Sequence, residues 1–273
     1  MPLTDEQMRL RRQWYSRQDV QYEIIKNHVH RETAYLYKSN RTGRATAIRF
    51  LKCDCIAFLT RQWRFYRFLD RPMNLYHSLA TFDHFPIIRY DGDYKTQLRQ
   101  INEGYEGMIT AFDLGLDFDK IEEPFDSYPQ AKRLKALLDR FNVPYSLKIS
   151  GSGFHYLIPH QQIPARIRQA AKSWDDYTST YLRGLMDELK ERFDLPSLDT
   201  SVADTRRIWK TPYSIDIKTG NIAMPLSDAE FDNFQPRRYS IESFFNNPFP
   251  ILRRGMLTRT GQDDALMKLA EEC

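Results

Sequence analysis

The sequence is poor in the features that would mark a secreted, membrane-embedded or zinc-stapled protein. Its 273 residues include three cysteines, Cys53 and Cys55 in "KCDC" and Cys273 at the end. Three thiols make neither a disulfide framework nor a four-ligand zinc site, so no structural zinc is expected, and the thiols point to a reducing, cytoplasmic setting. No apolar run is long enough to cross a membrane, and the charged start "MPLTDEQMRLRRQWYSRQD" lacks the apolar stretch of a signal peptide. Internal repeats and low-complexity linkers are missing too. Nor is either charge in large excess. Lys and Arg number 40 against 36 Asp and Glu, a net +4, so affinity for nucleic acid has to come from local clustering.

What is present suits a globular chain: 41% hydrophobic and 14% aromatic residues, enough for one large domain or two small ones. Thr4 reads as the N-cap of a first helix, "DVQYEIIKNHVH" as a second, and "ETAYLYKSNRTGRATAIRFL" as a hairpin. "IAFLTRQWRFYRFL" returns to helical spacing before Pro72, and "NLYHSLATF" alternates as a strand. "YPQAKRLKALLDRFNVP" sets Leu134, Leu137, Leu138 and Phe141 on one helical stripe. "YSLKIS" and "FHYLIP" alternate around Gly151-Ser152-Gly153, and one long amphipathic helix is expected from Pro164 to Phe193 through Ile167, Trp174, Tyr181, Leu185 and Leu189. "RRIWKTPYSIDIKTGNIAMPL" reads as strands around a Lys-Thr-Gly turn. The final "TGQDDALMKLAEEC" reads as an uncapped helix, as expected of a chain that continues or docks on a partner there. The order argues for an α+β, antiparallel-rich sheet backed by helices.

Chemistry concentrates in three segments. In "FDLGLDFDK" a period of two puts Phe112, Leu114, Leu116 and Phe118 on one face, and Asp113, Gly115, Asp117 and Asp119 on the other. Like charges roughly 7 Å apart repel by about 2 kcal/mol per neighbouring pair at an effective dielectric near 20, so something cationic is expected opposite. Asp117 and Asp119, at i and i+2, suit a hard cation bound through oxygen. "KISGSGFH" supplies glycines that let backbone approach a ligand, the Ser150 hydroxyl, His155 on the next strand, and Lys148 on the face of Ser150. "LDTSVADTRRIWKTPYSIDIKTG" brings Asp199, Arg207 and Lys210. Each segment alone also reads as an ordinary strand end, hairpin turn or surface loop. Their combination is the informative part.

In that combination and order the segments resemble the archaeo-eukaryotic primase superfamily, most closely its small catalytic primase subunits and primase-polymerases. "LGLDFD" looks like the family's hhhDhD motif, "SGSGFH" like Ser-Gly-x-Gly-x-His, and "LDTSVADTRRIWK" like the third acid with its downstream basic residue. "TPYSIDIKTGNIAMPL" is similar to the Ser-Pro-x-Ser...Lys-Thr-Gly segment, and "IIKNHVHRETAYL" to a helix ending in His-Arg-Glu. The matches run from about residue 22 to 226.

The resemblance implies a primase-type core with an RRM-like sheet. It would span 1–255, with an N-terminal α/β module of about 1–106, an RRM-like module of about 107–226 and a helical tail at 256–273. It implies that Asp117, Asp119 and Asp199 hold two Mg²⁺ or Mn²⁺ ions, which activate a 3′-hydroxyl and neutralise the leaving pyrophosphate. Arg31, Ser150, His155 and Lys210, with Arg207 and Lys148 beside them, would hold the triphosphate of an NTP or dNTP. Asp113 is an alternative first metal ligand, although Asp113-Leu114-Gly115 offers no second carboxylate. The chain departs from the family at Ser152, where arginine is frequent, at Asp216, where histidine is frequent, and in having no cysteine between Asp119 and Ser150 for a zinc knuckle. A single-stranded DNA template is the expected partner, with a primase large subunit or appended helical domain as a second and no membrane. Arg61, Arg64 and Arg67, interleaved with aromatics in "TRQWRFYRFLDRP", are candidates for gripping the template, although the aromatics of the same stretch read more readily as the core face of a helix whose arginines are solvated. Primer synthesis is the expected activity; extension of existing ends by a ligase-associated type of repair polymerase, or a non-catalytic nucleic-acid-binding role, are the alternatives.

Overall fold

The computed structural model describes residues 3–38, 45–50, 73–83, 104–246, 248 and 265–272. The proposed template-gripping arginines Arg61, Arg64 and Arg67 lie outside the described residues, as does the expected helix that carries them.

Two helices open the chain. In α1 (Asp5–Tyr15) Thr4 and Gln7 form a capping box, each side chain bonding the other's backbone N–H. The buried face of α1 does more than fill a core. Trp14 Nε1 donates to the carbonyl of Tyr213 at 2.8 Å, and the Tyr15 hydroxyl accepts from the N–H of Ile215 at 2.9 Å. The first helix thereby pins a segment some 200 residues away that flanks the candidate site. After α2 (Gln18–His28) come β1 (Thr33–Lys38) and β2 (Ala45–Phe50), paired antiparallel as the hairpin reading requires.

"NLYHSLATF" divides at Leu79. β3 (Asn74–Ser78) pairs with β1, whereas β4 (Ala80–Phe82) turns away to pair with β5 (Ile109–Phe112). The break has a local cause: the Ser78 hydroxyl donates to the Ala80 carbonyl at 2.6 Å and accepts from the Glu32 N–H, which bends the chain between partners. β6 (Leu114–Phe118), β7 (Ser146–Ile149), β8 (Phe154–Ile158) and β9 (Leu198–Asp199) form a second sheet in the order β7-β8-β6-β9. β10 (Ile208–Lys210) returns to the first sheet, whose order is β10-β3-β1-β2. Among the described residues every strand pair is antiparallel, and the fold is α+β, with the two halves of the chain interleaved through β10.

The two faces of the second sheet have opposite fates. Leu114, Leu116, Phe118, Phe154, Tyr156 and Ile158 are buried on one side against α3 (Tyr128–Arg140), whose Leu134 and Leu138 are also buried. Phe118 and Tyr156 meet edge to face, and Phe125, Phe231 and Phe234 close around Phe154. Burying such side chains stabilises the fold by about 1.5–3 kcal/mol each. The polar face, left free of this packing, carries the candidate site.

Two sequence expectations change in detail. The long helix from 164 to 193 is broken into Ala165–Ala170, Trp174–Asp176, a π-helical turn Tyr177–Leu182, and Arg183–Arg192. Ser173 starts a new N-terminus by accepting from the Asp176 N–H, while the hydroxyls of Thr178 and Ser179 bond back to carbonyls of Trp174 and Asp175. The wider π turn then rotates the helix, so that Leu182 and Met186 are buried in place of the expected Tyr181 and Leu185, while Leu189 is buried as expected. The strands expected around Lys-Thr-Gly reduce to β10 and isolated bridges, Ile215 to Ile222 across the turn, Asn221 to Ser240 and Pro225 to Lys148, because the Asp216 carboxylate collects the N–H groups of Lys218 and Thr219 into a turn. The last helix, Ala265–Glu272, is present, with Ala265, Leu266 and Leu269 buried against the core. Among the described residues no helix is long and apolar enough to cross a membrane.

Candidate active site

Register builds the site. Across the second sheet Lys148 stands opposite His155, His155 opposite Asp117, and Asp117 opposite Asp199. Side chains directly opposite one another in a sheet share a face, so one row crosses four strands with two bases followed by two acids. Asp119, two residues after Asp117, joins the acidic end. The carboxylates of Asp117, Asp119 and Asp199 each place an oxygen within 4.8 Å of the others.

The Ser150–Gly153 turn is pressed onto this row. Ser150 N–H bonds the Gly153 carbonyl at 2.9 Å, and Gly151 has φ +119°, a conformation that favours glycine. A Cβ at Gly153 would collide with the carbonyl oxygen of Phe118, between the two acids of β6, and one at Gly151 would stand 2.7 Å from Asp216. Both glycines are therefore needed for close approach. Thr219 and Asn221 bond the Gly151 carbonyl at 3.2 and 2.7 Å, which ties the Lys-Thr-Gly turn to the same edge of the site.

The acids are held at high electrostatic tension. Burial pushes Asp117 up to about 7, Asp199 adds to the push, and Lys148, Arg207 and Lys210 pull against it. Burial likewise raises Asp119 to about 6, with Asp117 and Asp199 reinforcing it and Lys218 and Arg207 opposing. Asp117 Oδ1 is buried without a hydrogen bond: His155 Nε2 lies 3.3 Å away but out of bonding geometry. Asp199 accepts from the Ser201 N–H at 2.9 Å, and Arg207 reaches the Ser201 carbonyl at 2.6 Å, so the loop after the third acid is itself organised. Three carboxylates with close oxygens, an orphaned buried oxygen and too few protein donors make a set that fits hard divalent cations.

The basic half of the row is more deeply set. Lys148 is fully buried and hydrogen-bonded to His155 Nδ1. Burial holds the Lys148 ammonium and the His155 imidazole well below their usual ranges; Asp117 pulls Lys148 back up, whereas Lys148 and Lys210 push His155 further down. Lys210 is salt-bridged to Asp216, whose carboxyl stays below the ordinary range because Lys210 and the turn N–H groups outweigh burial. The acid at position 216 is thus the partner of Lys210 and the organiser of the following turn. Ser150 is half-buried at the mouth.

Arg31 is placed elsewhere. It binds Asp113 at the opposite end of β6, together with the carbonyls of Ser78 and Leu79 at 3.0 and 2.9 Å. His160 completes that cluster, with its backbone N–H at 2.9 Å and Nδ1 at 3.1 Å from Asp113 Oδ1. Burial would raise Asp113, but Arg31 and His160 outweigh it and hold the carboxyl at about 2.

Sequence reading missed three neighbours of the site. Lys218 opposes the charge of Asp119 and sits in the Lys-Thr-Gly turn, which was its available signal. Tyr76 on β3 has its phenol pushed up by burial and then by Asp216, Asp117 and Asp119, so the first sheet also faces the acids. Trp209 stacks near His155 with centroids 3.9 Å apart. Nothing in the sequence pattern marks the last two.

Among solved structures the chain is similar to the polymerase domain of Mycobacterium tuberculosis Ligase D in complex with DNA, at 12% identity and a TM-score of 0.48, over 95% of this chain and 87% of that one. No family model and no curated protein matches the chain.

Proposed function

We propose that this chain is a template-dependent nucleotidyltransferase of the primase-polymerase kind. The observation that carries the reading is the row Lys148–His155–Asp117–Asp199 with Asp119 at its acidic end, backed by a glycine turn in close contact with the same strand. Magnesium or manganese held by Asp117, Asp119 and Asp199 would supply activation of a 3′-hydroxyl and neutralisation of charge on a triphosphate.

The chain's own groups do the rest. The acidic oxygens meet at the end of β6, where a nucleotide's phosphates bring cations with them. The Ser150 hydroxyl and the Nε2–H of His155 donate to phosphate oxygens, and Arg207 and Lys218 provide positive charge beside the acids. Lys210, through Asp216, holds the Lys-Thr-Gly turn against Gly151 and adds its charge from beneath. Arg31 is assigned to the Asp113 cluster and not to the triphosphate, because its guanidinium already serves one carboxylate and two carbonyls.

One assay tests the reading: the full chain with single-stranded DNA, primed and unprimed, labelled ribo- and deoxyribonucleotides, and Mg²⁺ or Mn²⁺. Holding two nucleotides on a template without a primer carries an extra ordering cost. The expected result is ready extension of a primer and weak initiation unless a partner holds the first nucleotide. Comparable product from both templates would place the initiating site within this chain. No incorporation under any of these conditions would leave a nucleic-acid-binding role and overturn the enzymatic reading.

A further inference from the structure

His155 is gripped on both nitrogens and on its ring face. Nδ1 is hydrogen-bonded to Lys148 Nζ, Nε2 looks toward Asp117 Oδ1 at 3.3 Å, and the Trp209 indole lies against the ring, tilted by 38°. Trp209 arrives from β10 of the other sheet, and it fits because residue 115 has no side chain. A Cβ there would stand 2.9 Å from both Leu79 Cδ1 and the indole. The Lys148 ammonium is in turn 5.3 Å from the Trp209 ring centroid.

Lys148 differs from the other basic residues near the acids in being wholly enclosed. Its head is behind His155 and beside the indole, so a ligand arriving over the acids meets the imidazole first. We propose that Lys148 is a positioning residue and not a phosphate ligand: by occupying Nδ1 it fixes His155 with its proton on Nε2, aimed at the carboxylate row and at an anionic group bound there. In its ammonium form Lys148 has three donors and no acceptor, and in that form Nδ1 has to present its lone pair. With Asp117 ionised, the other tautomer would turn an unprotonated Nε2 toward its Oδ1, lone pair against anion. Both neighbours thus select the same tautomer, and Trp209 keeps the ring from turning. The arrangement resembles the outer partners that orient metal-bound histidines, whose loss typically lowers activity by about 10–100-fold.

The identity of the anion as a nucleotide triphosphate rests on the polymerase reading; the tautomer does not. Long-range ¹H–¹⁵N spectra of the full chain are tractable because it has six histidines, with His155 assigned by comparison with His155→Asn. The wild-type protein is expected to show His155 as a single Nε2–H tautomer. Lys148→Met should give mixed tautomers and raise the nucleotide KM about tenfold, with kcat less affected. Lys148→Gln, which donates to Nδ1 without a charge, should restore the single tautomer and most of the affinity. An Nδ1–H tautomer in the wild type, or an unchanged one in Lys148→Met, overturns the proposal. So does a Gln variant with the wild-type tautomer but a KM as poor as that of Met, which would make Lys148 a direct charge partner of the phosphate. If the chain incorporates no nucleotide at all, the polymerase reading falls while the spectra still decide the role of Lys148.

Discussion

The two ends of β6 set the same residue type on the same strand face in opposite surroundings. At its N-terminal side Asp113 is enclosed by Arg31 and by two donors of His160, both its oxygens are satisfied, and its carboxyl is held at about 2. Four residues on, Asp117 is half-buried, with one oxygen enclosed and unbonded, two further carboxylates beside it and a carboxyl pushed up to about 7. The first is an acid whose counter-charge comes from the fold. The second is an acid cluster whose counter-charge the fold provides only in part. Burial alone therefore does not separate a structural acid from a ligand-binding one; the supply of donors does.

The largest effect that distinguishes the ends concerns activity. Asp117→Ala or Asp119→Ala is expected to reduce nucleotide incorporation by a thousandfold or more, corresponding to about 4 kcal/mol of transition-state stabilisation, with the fold intact. Full activity in both variants would sink the assignment. Inactivation by Asp113→Ala alone, in a protein that still folds, would move the metal pair to the wrong end of the strand.

Stability should respond the other way round. Asp113→Ala leaves the half-buried Arg31 with its two carbonyl acceptors but without a counter-charge and is expected to cost about 3–5 kcal/mol in denaturant unfolding. Asp117→Asn removes repulsion from the metal-free protein and should leave its stability unchanged or raise it at pH 8. Equal destabilisation by both would erase the contrast between the two ends.

A smaller effect appears in pH dependence without added metal. The depressed Asp113 contributes about 2 kcal/mol that is present above its unfolded value near 4 and lost as pH falls toward 2. Asp117 and Asp119, raised in the fold, act with opposite sign: their contribution is present below pH 4 and lost as pH rises through about 6 to 7. Thermal unfolding is therefore expected to show a decline between about pH 4 and 7 that Asp117→Asn reduces and Asp113→Asn does not. A decline of the same size in Asp117→Asn would contradict the assigned signs.

Much of this contrast was legible in the chain as written. Alternation in "FDLGLDFDK" placed all three aspartates on one face, and spacing put Asp117 and Asp119 together, because a strand's period of two is set by the backbone itself. The same alternation could not say that Asp113 would find Arg31, which is 82 residues earlier and reaches it only through the bend at Leu79. Asp199 shares the row because of a two-residue strand, too short for any periodic signal. Trp209 was hidden for a related reason: its place against His155 depends on β10 crossing to the other sheet and on Gly115 leaving room. Local pattern predicts faces, and long-range pairing decides which faces meet.

The measurement that reaches the central claim most directly is calorimetric titration of Mn²⁺ into the 273-residue chain, without nucleotide or DNA. Saturable binding is expected in the wild type and in Asp113→Asn wherever that variant folds, stronger at pH 8 than at pH 5.5 because the acids must ionise, and lost in the double variant Asp117→Ala, Asp119→Ala. Undiminished binding in the double variant, or none in the wild type at pH 8, would contradict the account.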